Sequence, residues 1–94
     1  MRAIYKYQID FHQIGNGPFT LRLPVGAEIL SCQVQHDIPV IWAMIDLTKP
    51  QEDRPLAFWP TGMSIPIDGY MRHVDSIQIY GGDLVFHLFD LRVP

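Results

Sequence analysis

The chain has one cysteine, Cys32. A lone cysteine excludes an intrachain disulfide and a multi-cysteine zinc site. It alternates with Leu30 and Val34, so it reads as a small buried hydrophobe and not as a nucleophile. Long apolar runs are also missing. No stretch approaches the roughly 20 apolar residues that a membrane helix needs. The opening MRAIYKYQID has neither the apolar region nor the cleavage site of a signal peptide. The expectation is a cytoplasmic protein with no membrane contact. Basic residues are few: seven Lys and Arg stand against ten Asp and Glu, for a formal charge of −3. Duplex binding draws on Lys and Arg meeting phosphate, so duplex nucleic acid is not an expected partner. A small nucleotide needs only one or two basic groups and stays open.

Helical stripes are absent too. Period-two patterns and short apolar runs recur between turn signals. With 48% hydrophobic residues the 94-residue chain supplies one dense core, so residues 1–94 read as a single β domain. The expected strands are Arg2 to Ile9, Phe19 to Leu23, Glu28 to Gln35, Val40 to Leu47, Leu56 to Trp59, Tyr70 to Tyr80 and Leu84 to Leu91. Val40 to Leu47 is apolar on both faces, which marks a central strand. Thr48 to Pro55 is charged and reads as a solvated loop. Thr61 to Gly69 has no periodicity and is the longest irregular segment, and a bend is expected near Asp75. His36-Asp37 and Gly81-Gly82-Asp83 mark two hairpins, the second expected as a tight two-residue connection. The fold class is all-β: a compact antiparallel sandwich or partly closed barrel of about seven short strands.

Candidate chemistry is thin. His12, His36, His73 and His87 lack the spacing of a metal site, and neither a metal nor another cofactor is expected. His87 alone lies mid-strand and reads as a half-buried histidine bonded to a neighbour. Arg72, His73 and Asp75 read as a polar strand edge, and Gln33 and Gln35 as the wet face of a sheet. Ser31 has no nucleophile elbow, and Glu52-Asp53 is a pair of solubilising charges. No catalytic set emerges, and an enzyme is not expected. Trp59, before Pro60 at the mouth of the irregular segment, is hard to bury completely. Binding residues sit on loops held by rigid scaffolds, so Trp59, Thr61, Met63, Ile65 and Tyr70 are the candidates for contact with a protein. A nucleotide would instead use Tyr70, Arg72, His73 and Tyr80, aromatic faces beside basic groups.

Residues 23–35, LPVGAEILSCQVQ, and 38–46, IPVIWAMID, resemble a small family of phage and prophage proteins of unknown function. The opening Ile4-Tyr5-Lys6-Tyr7 and the closing segment 77–89, IQIYGGDLVFHLF, fit it as well. Residues 48–72 match in outline, and the connection 10–18 is longer than the family's. The resemblance implies a viral or prophage origin and carries no catalytic residues. With it the expected function is a non-enzymatic accessory binding protein of a phage or prophage, one that counters host defence by occupying a host protein. The alternatives are a sponge for a small signalling nucleotide and a structural phage component. A last expectation concerns assembly. The closing strand shows Val85, Phe89 and Leu91 on one face and Phe86 and Leu88 on the other, so an open edge there would pair as a homodimer through residues 84–91.

Overall fold

The structure, a computed structural model, describes residues 1–93. Its strands are β1 (Arg2–Gln8), β2 (Pro18–Pro24), β3 (Glu28–Gln35), β4 (Ile38–Asp46), β5 (Gln51–Pro60), β6 (Arg72–Ile79) and β7 (Leu84–Asp90). They form two sheets, ordered β1-β4-β3 and β2-β5-β7-β6, with every pairing antiparallel. This is the all-β, seven-strand sandwich expected, and it is not a closed barrel. Ile29, Cys32, Ile41 and Ile45 from one sheet meet Leu23, Leu56, Phe58, Ile77 and Leu88 from the other. Phe19 stacks on Phe58 with ring centroids 5.8 Å apart. A fully buried side chain of this kind contributes about 1.5–3 kcal/mol.

Both hairpins form where the turn residues allow. His36 and Asp37 both have positive φ, 52° and 63°, between the paired Gln35 and Ile38. That is the backbone of a two-residue turn matching the twist of its strands. β4 lies between β1 and β3, the central place its two apolar faces demand. The second hairpin needs four residues, not two: Tyr80 to Asp83 form a single 3-10 turn closed by the Asp83 N–H donating to the Tyr80 carbonyl.

Four expectations are corrected. Gln51 to Pro55 is not a solvated loop but the first half of β5, paired with β2. Its Arg54 is 7% exposed, and a buried charge requires a partner that local sequence does not show. Leu30 does not share a face with Cys32. A bulge between Ile29 and Ser31 turns it to solvent, 40% exposed. β7 is not an edge: β5 pairs with one side and β6 with the other, so residues 86–90 have no free backbone edge for a second copy. Trp59, finally, is buried, at 2% exposure.

Topology explains that burial. β5 and β6 are both antiparallel to β7, hence parallel to each other, and the connection between them must run back the length of the sheet. The inner face is filled by core, so residues 61–71 recross the outer face. Ala57 and Trp59 point to that face, alternating with Leu56 and Phe58 that point inward, and both are buried. The expected bend in β6 is a bulge between His73 and Asp75.

Candidate functional site

The crossing segment is fixed at its start by a chain of side chains on the outer face. The Thr61 hydroxyl lies 2.7 Å from His87 Nε2, and Ser76 Oγ lies 2.7 Å from His87 Nδ1 and 3.0 Å from His73 Nε2. Ser76 and His87 are register partners, which places them side by side. The Thr61 N–H also donates to the Val85 carbonyl. His87 is therefore the half-buried, bonded histidine expected of it. Its imidazole can hold the segment through one nitrogen and the sheet through the other. His73 packs edge-on against Phe89, with ring centroids 5.4 Å apart.

Of the protein-binding candidates, Thr61, Met63, Ile65 and Tyr70 are exposed along this segment. Trp59 lies beneath and offers no surface. Its indole N–H is buried with no hydrogen-bond partner among the described residues, an uncommon state for a buried donor.

The nucleotide candidates are not brought together. Tyr70 and Arg72 line a cavity of about 430 Å³ at one end of the sandwich, with Ala27, Glu28, Arg54, Asp90 and Arg92. Tyr80 lies at the opposite end of β6. Each arginine of that cavity already has a carboxylate. Arg54 forks onto Asp90, Nε to Oδ1 at 3.1 Å and Nη2 to Oδ2 at 2.9 Å, and donates its remaining nitrogen to the Ala27 carbonyl at 2.8 Å. Arg72 shares Asp90 at 3.4 Å, and Arg92 pairs with Glu52. Burial pushes the Asp90 carboxyl up. Hydrogen bonds from Arg54 and the Arg92 N–H, with the charges of Arg54 and Arg72, outweigh this and hold it below the usual carboxylate value.

Where β3 and β6 meet, Asp75 bridges the sheets. One carboxylate oxygen accepts the Cys32 N–H at 3.1 Å and the Gln33 side-chain amide at 3.2 Å. Cys32 is fully buried, and burial together with that carboxylate pushes its thiol up to about 12. It is an inert core residue, as expected. Gln35 accepts from Lys6 Nζ at 2.8 Å, so the Gln33 and Gln35 stripe is divided between two neighbours.

Sequence reasoning missed the other end of the sandwich. There the His36-Asp37 turn, the Tyr80–Asp83 turn and the one-turn helix Phe11–Gln13 enclose a pocket of about 630 Å³. Its lining is Phe11, Val34, Asp37, Gln78, Ile79, Tyr80, Gly81 and Gly82. The three turns are far apart in the chain, so no local motif announces them. The one available signal was Tyr80, an aromatic residue where glycine suits the turn.

The whole chain, residues 1–94, matches the family described as Domain of unknown function (DUF7352), and it belongs to that family. No curated protein and no solved structure matches it.

Proposed function

We propose that this DUF7352 domain acts by binding a protein, without chemistry of its own, and that segment 61–71 is its contact surface. One observation carries the reading. Met63, Ile65 and Tyr70 are exposed at 49%, 40% and 39% on a single irregular segment. That segment is held to the sheet at its start by Thr61 and runs into β6 at its end. Apolar and aromatic side chains gathered on a loop over a rigid scaffold are the usual material of a binding surface. The likeness to phage and prophage proteins supplies the setting. The domain is an accessory protein in the cytoplasm of an infected or lysogenic bacterium, its partner is a host protein, and its effect is to inhibit a defence.

The test is affinity purification from a bacterial host with the wild-type chain and the Met63→Asp/Ile65→Asp variant. The expected outcome is one stoichiometric protein held by the wild type and lost by the variant, with the thermal melt of the variant unchanged. A partner held equally by both, or none held by the wild type, overturns the reading. Recovery of the chain with purified virions would make it a structural component instead.

A further inference from the structure

The pocket at the turn end is chemically unlike the cavity around Arg72, and no residue of segment 61–71 lines it. We propose that it is a binding site for a guanidinium group, with the planar cation stacked against Tyr80 and Phe11 and forked onto the Asp37 carboxylate.

The charge of the lining sets the class of ligand. Asp37 is its only ionised side chain, and no lysine or arginine lines it. A phosphate or carboxylate ligand would find no counter-charge. Charged and titratable groups on the adjoining turns are Asp10 and His12 beside Phe11, His36 beside Asp37, and Asp83 beside Gly82. Asp10 accepts the His12 N–H and caps its own turn. These groups and Lys6, whose Nζ donates to Gln35 beside the His36-Asp37 turn, lie outside the lining, so the Asp37 carboxylate is the charge a ligand meets and it favours a cation.

The shape of the lining narrows the class further. Phe11 and Tyr80 are 43% and 69% exposed, so their faces are open. Aromatic faces attract cations, and a flat cation stacks on them better than a spherical ammonium does. Val34 and Ile79 supply the apolar floor, and Gln78 adds an amide. The Gln78 amide oxygen sits so close to Gly82 that a Cβ there would lie 3.2 Å from it. A small residue at 82 thus keeps this wall thin. The volume falls within the roughly 300–1,000 Å³ of small-molecule sites. It exceeds what one guanidinium fills and leaves room for the chain that carries it.

Tyr80 gives an independent observation. Its φ is 54°, the left-handed region that disfavours a bulky side chain, although Gly81 and Gly82 follow it directly. Strain of this kind persists where the surrounding structure or a site requires the side chain. This ring is largely in solvent, so packing is no reason for it. A platform for a ligand is one.

The probes are N-acetyl-arginine amide, its citrulline counterpart (equal in shape, without charge), N-acetyl-lysine amide, free arginine and an arginine-centred pentapeptide. Each is titrated into the full chain and followed by amide chemical shifts. The expected result is a saturable response to arginine amide at residues 11, 34–37 and 78–82, with the citrulline counterpart at least about tenfold weaker, as loss of a charge-assisted pair implies, and the lysine counterpart weaker because its ammonium offers neither the fork nor the flat face. Asp37→Asn and Tyr80→Gly should each weaken binding by about tenfold or more. Melting temperatures of both variants show that each is folded. A pentapeptide bound more tightly than free arginine identifies the source as a peptide, and the reverse order identifies a small molecule. The site does not exist as described if no guanidinium gives a saturable response, if citrulline responds equally, or if Asp37→Asn binds undiminished.

Discussion

Where β7 ends, Asp90 is buried at 3% exposure and accepts hydrogen bonds from Arg54, Arg72 and the Arg92 backbone. Where β7 begins, six residues earlier, the chain passes through Tyr80, Gly81 and Gly82, all at positive φ, beside an open pocket. At the first end each of the three arginines is paired with a carboxylate. The second leaves two aromatic faces and a carboxylate in solvent. Charges taken out of water are tolerable only when fully paired, so the first end has little to offer a ligand. The second stores strain and exposed apolar surface, and both are costs that a ligand can offset.

The contrast is most sharply broken at Arg54. Arg54→Met leaves Asp90 buried with only the longer Arg72 contact and the Arg92 N–H, and should cost about 3 kcal/mol, the low end for breaking a buried pair. The double variant Arg54→Met/Asp90→Leu should recover most of that, since apolar replacement of a buried pair is often close to neutral. Urea denaturation measures both. A single variant within about 1 kcal/mol of wild type would show that solvent reaches Asp90 after all.

Acid acts on the same end with a smaller effect. The Asp90 carboxyl is lowered from its ordinary value of 3.8 in the folded state. The unfolded chain therefore binds its proton first. The contribution of Asp90 is complete above about 3.8, and it is lost as pH falls from there through the lowered folded value. Asp46, held low by its hydrogen bonds from Thr48, titrates in the same window. The informative quantity is thus the difference between wild type and the double variant. The urea midpoint of the wild type should fall more steeply below pH 4. Parallel slopes would remove Asp90 as a source of acid sensitivity.

At the turn end the signs reverse. Tyr80→Gly relieves a left-handed conformation that costs a side chain roughly 1–2 kcal/mol, against roughly 0.5–1 kcal/mol of added freedom in the unfolded chain. The expected result is a gain of up to about 1.5 kcal/mol. A loss beyond about 1 kcal/mol would mean that the ring packs in a way its exposure does not suggest. Asp37→Asn is the mildest change. Asparagine accepts the same backbone conformation, so stability should stay within about 0.5 kcal/mol while the acidic character of the pocket is lost. A melting shift of several degrees would show that the carboxylate has a structural partner.

The difference between the ends is also a difference in what the sequence discloses. The β3–β4 hairpin is legible because His36-Asp37 sits between two period-two runs, and a two-residue turn fixes register locally. The burial of Arg54 is not legible, because its partner lies 36 residues away and the run Gln51 to Arg54 looks solvated by itself. The burial of Trp59 is not legible for a related reason. Its exposure depends on the path of residues 61–71, which follows from β5 and β6 being parallel and not from the residues beside it. Thr61, Met63, Ile65 and Tyr70 could be named as exposed because an aperiodic segment rarely enters a core. The pocket of Phe11, Asp37 and Tyr80 gathers turns from three places in the chain. Pattern along one strand carries no information about it.

The bulges at Leu30 and Val74 bear on inheritance. Ile29 pairs with Ala43 and Ser31 with Trp42, while His73 pairs with Phe89 and Asp75 with Leu88. Each strand thus holds one residue more than its neighbour counts. Removal of Leu30 would leave Ile29, Cys32 and Val34 pointing inward as before, since the shortened strand would simply alternate. Removal of Val74 would likewise leave Ile77 and Ile79 in the core. The added length at Leu30 changes the bend and not the inventory of buried side chains, whereas Val74 is half-buried against the core and its removal would cost that contact. Insertions and deletions in descendants of this chain need not be confined to its loops. Two strands have places where a codon can be gained or lost with the alternation of the buried residues preserved, and the cost falls on the Asp75 bridge and, at Val74, on one core contact.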